Sequence, residues 1–117
     1  VVTAQDGLVT LDAGGVRLEG VGEQPPGAQV YLCLRPEDIT LSNAAPESSS
    51  ARNSLAATIT RLAPQGPLVR AVLQVGGSAG FGMVAMVTRA SARELALEEG
   101  QPVRASFKAT AAHLIRR

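Results

Sequence analysis

Gly27-Ala28-Gln29-Val30-Tyr31-Leu32-Cys33-Leu34-Arg35-Pro36-Glu37-Asp38-Ile39-Thr40-Leu41 recurs in outline as Gly100-Gln101-Pro102-Val103-Arg104-Ala105-Ser106-Phe107-Lys108-Ala109-Thr110-Ala111-Ala112-His113-Leu114. Few residues are identical, but a Gly, a Val, an apolar residue, a base and a closing Leu keep the same offsets. Arg35 falls on Lys108, and Leu41 on Leu114. Each copy reads as a strand that ends at a basic residue and is followed by a short strand. The repeat therefore points to two small β lobes on one plan. In the first copy, Pro36 lacks a backbone donor and biases Arg35 away from the helical region, which ends the strand there.

Outward from the repeat, the pattern stays β. Residues 7–12 and 16–21 alternate apolar and polar around Ala13-Gly14-Gly15 and read as a hairpin. Gln24-Pro25-Pro26-Gly27 is a loop, and residues 43–50 are polar, contain Pro46 and have no periodicity. Residues 55–62, 68–75 and 81–87 read as strands separated by Ala63-Pro64-Gln65-Gly66-Pro67 and by a Gly-rich loop at 76–80. The one helix candidate is Ser91 to Leu97, capped by Thr88 or Ser91, with Glu94 three residues after Ser91 as in a capping box. Strands at 103–108 and 111–115 close the chain. Many short strands with Gly/Pro turns favour small barrels over a sandwich of long strands.

Composition narrows the function classes. Aromatics make up 3% of the 117 residues and Trp is lacking, so the core is built from Val, Leu, Ile and Ala. The net charge of +1 and the scarcity of aromatics disfavour nucleic acid and an anionic membrane surface as partners. No apolar run approaches the ~20 residues of a membrane helix, so no direct membrane insertion is expected. Cys33 is the sole cysteine and His113 the sole histidine, which precludes an internal disulfide and an ordinary zinc site and favours a reducing compartment. Cys33 itself reads as a small buried hydrophobe. The chain opens on Val1-Val2-Thr3 without a Met or a signal peptide and reads as a piece of a longer protein.

Chemistry-bearing residues gather in three segments. Ser48-Ser49-Ser50-Ala51-Arg52-Asn53 crowds hydroxyls, a guanidinium and an amide into six residues. Thr88-Arg89-Ala90-Ser91 stands at the helix start. Lys108-Ala109-Thr110 follows the penultimate strand. Each segment also has a plainer reading: a solvated linker, a helix cap, and an edge charge that discourages aggregation. All three lie at strand or helix ends, which lets them converge on one rim. Such a donor set suits a small oxyanion, which offers acceptors only.

Ser50-Ala51-Arg52-Asn53, then Thr88-x-x-Ser91 before Glu94-Leu95-x-Leu97-x-x-Gly100, then Phe107-Lys108-Ala109-Thr110, resembles the molybdate/tungstate-binding MOP-like domain over roughly residues 48–115. Leu34-Arg35-Pro36-Glu37-Asp38-Ile39 resembles the signature of the TOBE domain at the C-terminus of ABC-transporter ATP-binding subunits. The resemblance implies an all-β fold of paired small OB-like (MOP/TOBE) barrels with one short helix. It implies a TOBE-like lobe over 1–47, too short for a complete five-stranded barrel on its own, and an oxyanion-binding lobe over 48–117. The missing strands of the first lobe would come from upstream chain or from the C-terminal residues.

The resemblance also implies that molybdate or tungstate binds where two barrels or two subunits meet. Its binding segments carry over as Ser50, Ala51, Arg52 and Asn53, then Thr88 and Ser91, then Lys108, Ala109 and Thr110. No cofactor and no metal are needed. Family members often carry a Ser directly after the Lys, where this chain has Ala109, so one hydroxyl donor is lost. Thr110, one position on in a strand, is expected to face the other way. The implied partners are the small oxyanion, a second copy in a homodimer, and the membrane subunits of a transporter. The implied location is cytoplasmic and peripheral to the inner membrane.

Three function classes compete on these residues. The first is an oxyanion-sensing regulatory domain of an importer's ATP-binding subunit. The second is a dimerisation or docking module of that ATPase with no ligand. The third, an enzyme, is disfavoured: there is no Gly-x-x-x-x-Gly-Lys-Ser/Thr loop, and the adjacent Glu37 and Asp38 point apart in an extended segment.

Overall fold

A computed structural model describes residues 1–43, 53–77 and 80–117. Ten strands run β1 (Thr3–Gln5), β2 (Leu8–Ala13), β3 (Val16–Val21), β4 (Val30–Cys33), β5 (Thr40–Ser42), β6 (Asn53–Gln65), β7 (Leu68–Val75), β8 (Phe81–Thr88), β9 (Pro102–Phe107) and β10 (His113–Arg116). One α-helix, α1 (Arg89–Glu94), and 3₁₀ turns at Pro36–Asp38 and Ala109–Ala111 complete the chain's described elements. The strands form two five-stranded sheets, in the orders β1-β2-β3-β10-β4 and β5-β9-β6-β7-β8. The all-β architecture with one short helix is the one expected.

Local sequence explains the turns. The expected hairpin pairs β2 with β3 through Gly14 and Gly15 at φ +59 and +87. Both values suit a type I′ turn, whose twist matches the strands, and the Gly15 N–H donates to the Asp12 carboxylate at 2.8 Å. A second hairpin, β1 to β2, turns on Asp6-Gly7. The reading that began a strand at Gly7 places nothing before it, although Asp-Gly is itself a hairpin signal. β6 runs through Pro64 to Gln65, so the turn expected across 63–67 tightens to Gly66-Pro67, with Gln65 facing Leu68. A bulge at Thr60 bends β6, and the Thr60 hydroxyl donates to the Val72 carbonyl at 3.2 Å.

The repeat read from sequence becomes a reciprocal strand exchange. The two 3₁₀ turns lie 73 positions apart, at 36 and at 109, the same offset that aligns the two sequence copies. Arg35 precedes the first at φ −79, ψ 139, and Lys108 precedes the second at φ −75, ψ 145. The chain leaves β4 in the first sheet, turns, and enters β5 in the second. It later leaves β9 in the second sheet, turns, and enters β10 in the first. β5 pairs with β9, and β10 pairs with β4. Sheet membership thus crosses the 47/48 boundary: the C-terminal strand supplies the first sheet, and β5 supplies the second.

One apolar core joins the sheets. Val9, Leu11 and Leu18 of the first meet Leu55, Ile59, Leu73, Val103 and Phe107 of the second. The residues following the turns, Ile39 and Ala112, are both buried, as are Leu41 and Leu114 two positions on. Phe107 is 2% exposed, and burying a side chain of that size contributes about 1.5–3 kcal/mol.

Candidate functional site

The two crossovers line a common cleft. Cys33, Leu34, Arg35 and Asp38 come from the first, and Lys108, Thr110, Ala111 and His113 from the second, around a cavity of about 550 Å³. Strand pairing sets His113 opposite Cys33, so the cleft lies beside the β4–β10 pair, where the two crossovers come together. Arg35 donates through Nε to Asp38 Oδ2 at 3.1 Å and through a terminal nitrogen to Asp38 Oδ1 at 3.5 Å. Those hydrogen bonds, and then the charges of Asp38 and Glu37, hold the guanidinium pKa above its ordinary value. Lys108, Thr110, His113 and Cys33 are all exposed here. Cys33 is therefore a cleft thiol and not the buried hydrophobe expected of it, because it faces outward from the short strand β4.

The Lys108 segment corrects the expectation about faces. Residues 109–111 form a 3₁₀ turn and not a strand. Period-two alternation therefore does not apply, and Thr110 lines the cleft that Lys108 lines. Ala109 is 5% exposed and packs inward. The hydroxyl next to the lysine in this cleft is that of Thr110.

Thr88 and Ser91 stand elsewhere. Thr88 is the N-cap of α1: its hydroxyl oxygen accepts from the Ser91 N–H at 3.0 Å, and its hydroxyl donates to Ser91 Oγ at 3.0 Å. The cap is thus Thr88, and the Ser91–Glu94 capping box does not form, because Ser91 already lies inside a helix that ends at Glu94. Ala96 at φ +50 prevents its continuation to Leu97. Both hydroxyls line a separate cavity of about 340 Å³ with Thr40, Glu94 and apolar neighbours. That cavity shares no lining residue with the cleft of Lys108. Within one chain the second and third donor segments do not meet.

Ser50, Ala51 and Arg52 lie outside the described residues. Asn53 is described and is 3% exposed. Its amide donates to the Glu19 carbonyl at 2.8 Å and accepts from the Glu19 N–H at 2.7 Å. Glu19 lies in β3, beside the start of β10, and the Asn53 side chain serves it as a strand neighbour would. This burial takes Asn53 out of the exposed donor set and makes it a tie between the sheets. The sequence reading did not place Arg35, Asp38, His113 and Cys33 beside Lys108. The signal was present in the alignment of Arg35 with Lys108.

Three kinds of likeness bear on this geometry. The TOBE domain family matches residues 49–114. The chain is 42% identical over 83 residues to the molybdate/tungstate import ATP-binding protein WtpC of Pyrococcus abyssi, covering 71% of this chain and 23% of that protein. It is 38% identical over 104 residues to the protein of the same name from Pyrococcus horikoshii, covering 89% and 28%. It is 35% identical over 83 residues to the molybdenum import ATP-binding protein ModC of Mannheimia succiniciproducens, covering 71% and 23%. The chain thus spans about a quarter of the length of these relatives. A crystal structure of the cytoplasmic molybdate-binding protein ModG with molybdate bound superposes with a TM-score of 0.84, covering 98% of this chain and 89% of that one. At 22% identity, that likeness fixes the fold. With a two-sheet architecture shared with ModG and a family match over more than half its length, this chain belongs to the TOBE domain family.

Proposed function

We propose that this chain is an oxyanion-binding regulatory domain, specific for molybdate or tungstate, of an importer's ATP-binding subunit. The observation that carries the reading is the exposed Lys108–Thr110 pair in a cleft between two strand crossovers. A tetrahedral dianion offers only acceptors, and an ammonium, a hydroxyl and backbone N–H groups meet it without a metal. The names of the relatives support the choice of anion.

The separation of Thr88 and Ser91 from Lys108 favours a site completed by a second copy. In that arrangement one protomer supplies Lys108 and Thr110, and its partner supplies Thr88 and Ser91. Anion binding then favours the paired arrangement over any other, and through it biases transport, because a ligand shifts an equilibrium only by its differential affinity. In the whole protein the domain would work on the cytoplasmic side, beside the membrane subunits.

Sedimentation of the chain with and without molybdate tests this. Molybdate is expected to raise the dimer fraction, and tungstate to do the same. An unchanged mass in saturating molybdate would refute the shared site. A second reading, a docking module without ligand, draws on one feature. Tyr31 and Ile115 are cross-strand partners, 55% and 52% exposed, on an outer face of the first sheet. Unaltered oxyanion response in the transporter after Lys108→Ala would favour it.

A further inference from the structure

Arg35 is the cationic group of the cleft that the Lys108 reading leaves unused. It occupies the position in the first copy that Lys108 occupies in the second, with matching backbone dihedrals ahead of matching 3₁₀ turns. Both side chains line the same cavity. Two guanidinium N–H groups point to Asp38. A guanidinium carries five, so three are left for another acceptor. The Arg35 side chain is 77% exposed, and an exposed pair of this kind contributes little to stability. Its effect is to hold the fork in one orientation, and a planar fork suits a tetrahedral oxyanion better than a point charge does. A cavity of about 550 Å³ is many times the ~30 Å³ share of a water molecule. It has room for an anion together with bridging waters.

We propose that Arg35 is a further oxyanion-binding residue, holding the anion from the side of the cleft opposite Lys108. The two halves of the chain would then each contribute one cation to one site. This rests on the reading that Lys108 binds the oxyanion.

Cys33 gives an independent readout, because it is the chain's one cysteine, is exposed and lines the cleft. Wild type, Arg35→Ala, Arg35→Lys and Lys108→Ala are titrated with molybdate by calorimetry. Alkylation of Cys33 by iodoacetamide is followed in wild type with and without molybdate. The expected results are a dissociation constant raised about 5- to 30-fold in Arg35→Ala, a smaller rise in Arg35→Lys, and alkylation slowed at least threefold by molybdate. If wild type binds molybdate with an affinity that depends on Lys108, while Arg35→Ala stays within twofold and Cys33 is unprotected, the role of Arg35 is overturned. If wild type does not bind molybdate, the oxyanion reading itself is overturned.

Discussion

Replacing Asn53 by Ala removes both hydrogen bonds between its side chain and the backbone of Glu19, at 2.7 and 2.8 Å. A net contribution of about 1 kcal/mol per bond, plus about 1–3 kcal/mol for a buried polar group left without its partner, gives a loss of about 3–5 kcal/mol. Domains of this length have ~5–15 kcal/mol in total, so the loss is large. At roughly 3–5 °C per kcal/mol for a chain of this size, the melting midpoint should fall by about 9–25 °C. Thermal melts followed by circular dichroism measure that fall, and urea unfolding measures the free-energy loss, with the slope staying at its wild-type value while the urea midpoint moves. Asn53→Asp should lose a similar amount, since a carboxylate can accept from the Glu19 N–H but faces the Glu19 carbonyl with a lone pair. A melting midpoint within about 2 °C of wild type for Asn53→Ala would refute the inter-sheet role. The folded variant should retain molybdate affinity within about threefold, which separates this residue from the anion donors.

Two further outcomes follow from local geometry. Thr88→Ala should cost about 1 kcal/mol by removing the N-cap acceptor of α1, with Thr88→Ser close to wild type in thermal melts. Ala109→Ser should destabilise by about 1–3 kcal/mol, because the new hydroxyl is buried, and should bring no gain in molybdate affinity by calorimetry. A tenfold tighter complex would show that position 109 faces the anion after all.

Much of the fold was legible because its signals are local. Gly14-Gly15 demanded positive φ and marked a hairpin, and Pro36 marked a strand end. The repeat of residues 27–41 at 100–114 located both crossovers. Although the C-terminal residues are one of the two sources expected for the first lobe's missing strands, the repeat itself did not reveal that the strands following the crossovers change sheets. That depends on β10 finding β4 across some 80 residues, a pairing set by core packing and not by neighbouring sequence. The face of Thr110 departs from expectation for a related reason. Period-two alternation does not hold through a 3₁₀ turn, and the repeat aligns 109–111 with Pro36-Glu37-Asp38. The candidate donors were legible as types. Their grouping was not, since Lys108 shares a cleft with the first lobe's Arg35 and stands apart from Thr88 and Ser91. Asn53 carried no sequence mark that distinguishes an amide bound to backbone from one bound to a ligand.

The most direct test of oxyanion binding through Lys108 is a calorimetric titration of the 117-residue chain and its Lys108→Ala variant with molybdate, alongside sulfate. A charge-assisted hydrogen bond is worth about 1.5–3 kcal/mol, and ~1.4 kcal/mol is a tenfold change in affinity. Wild type should bind molybdate at submillimolar concentration, and Lys108→Ala should bind about 10- to 100-fold more weakly. No heat with wild type, or equal affinity in the variant, would contradict the account.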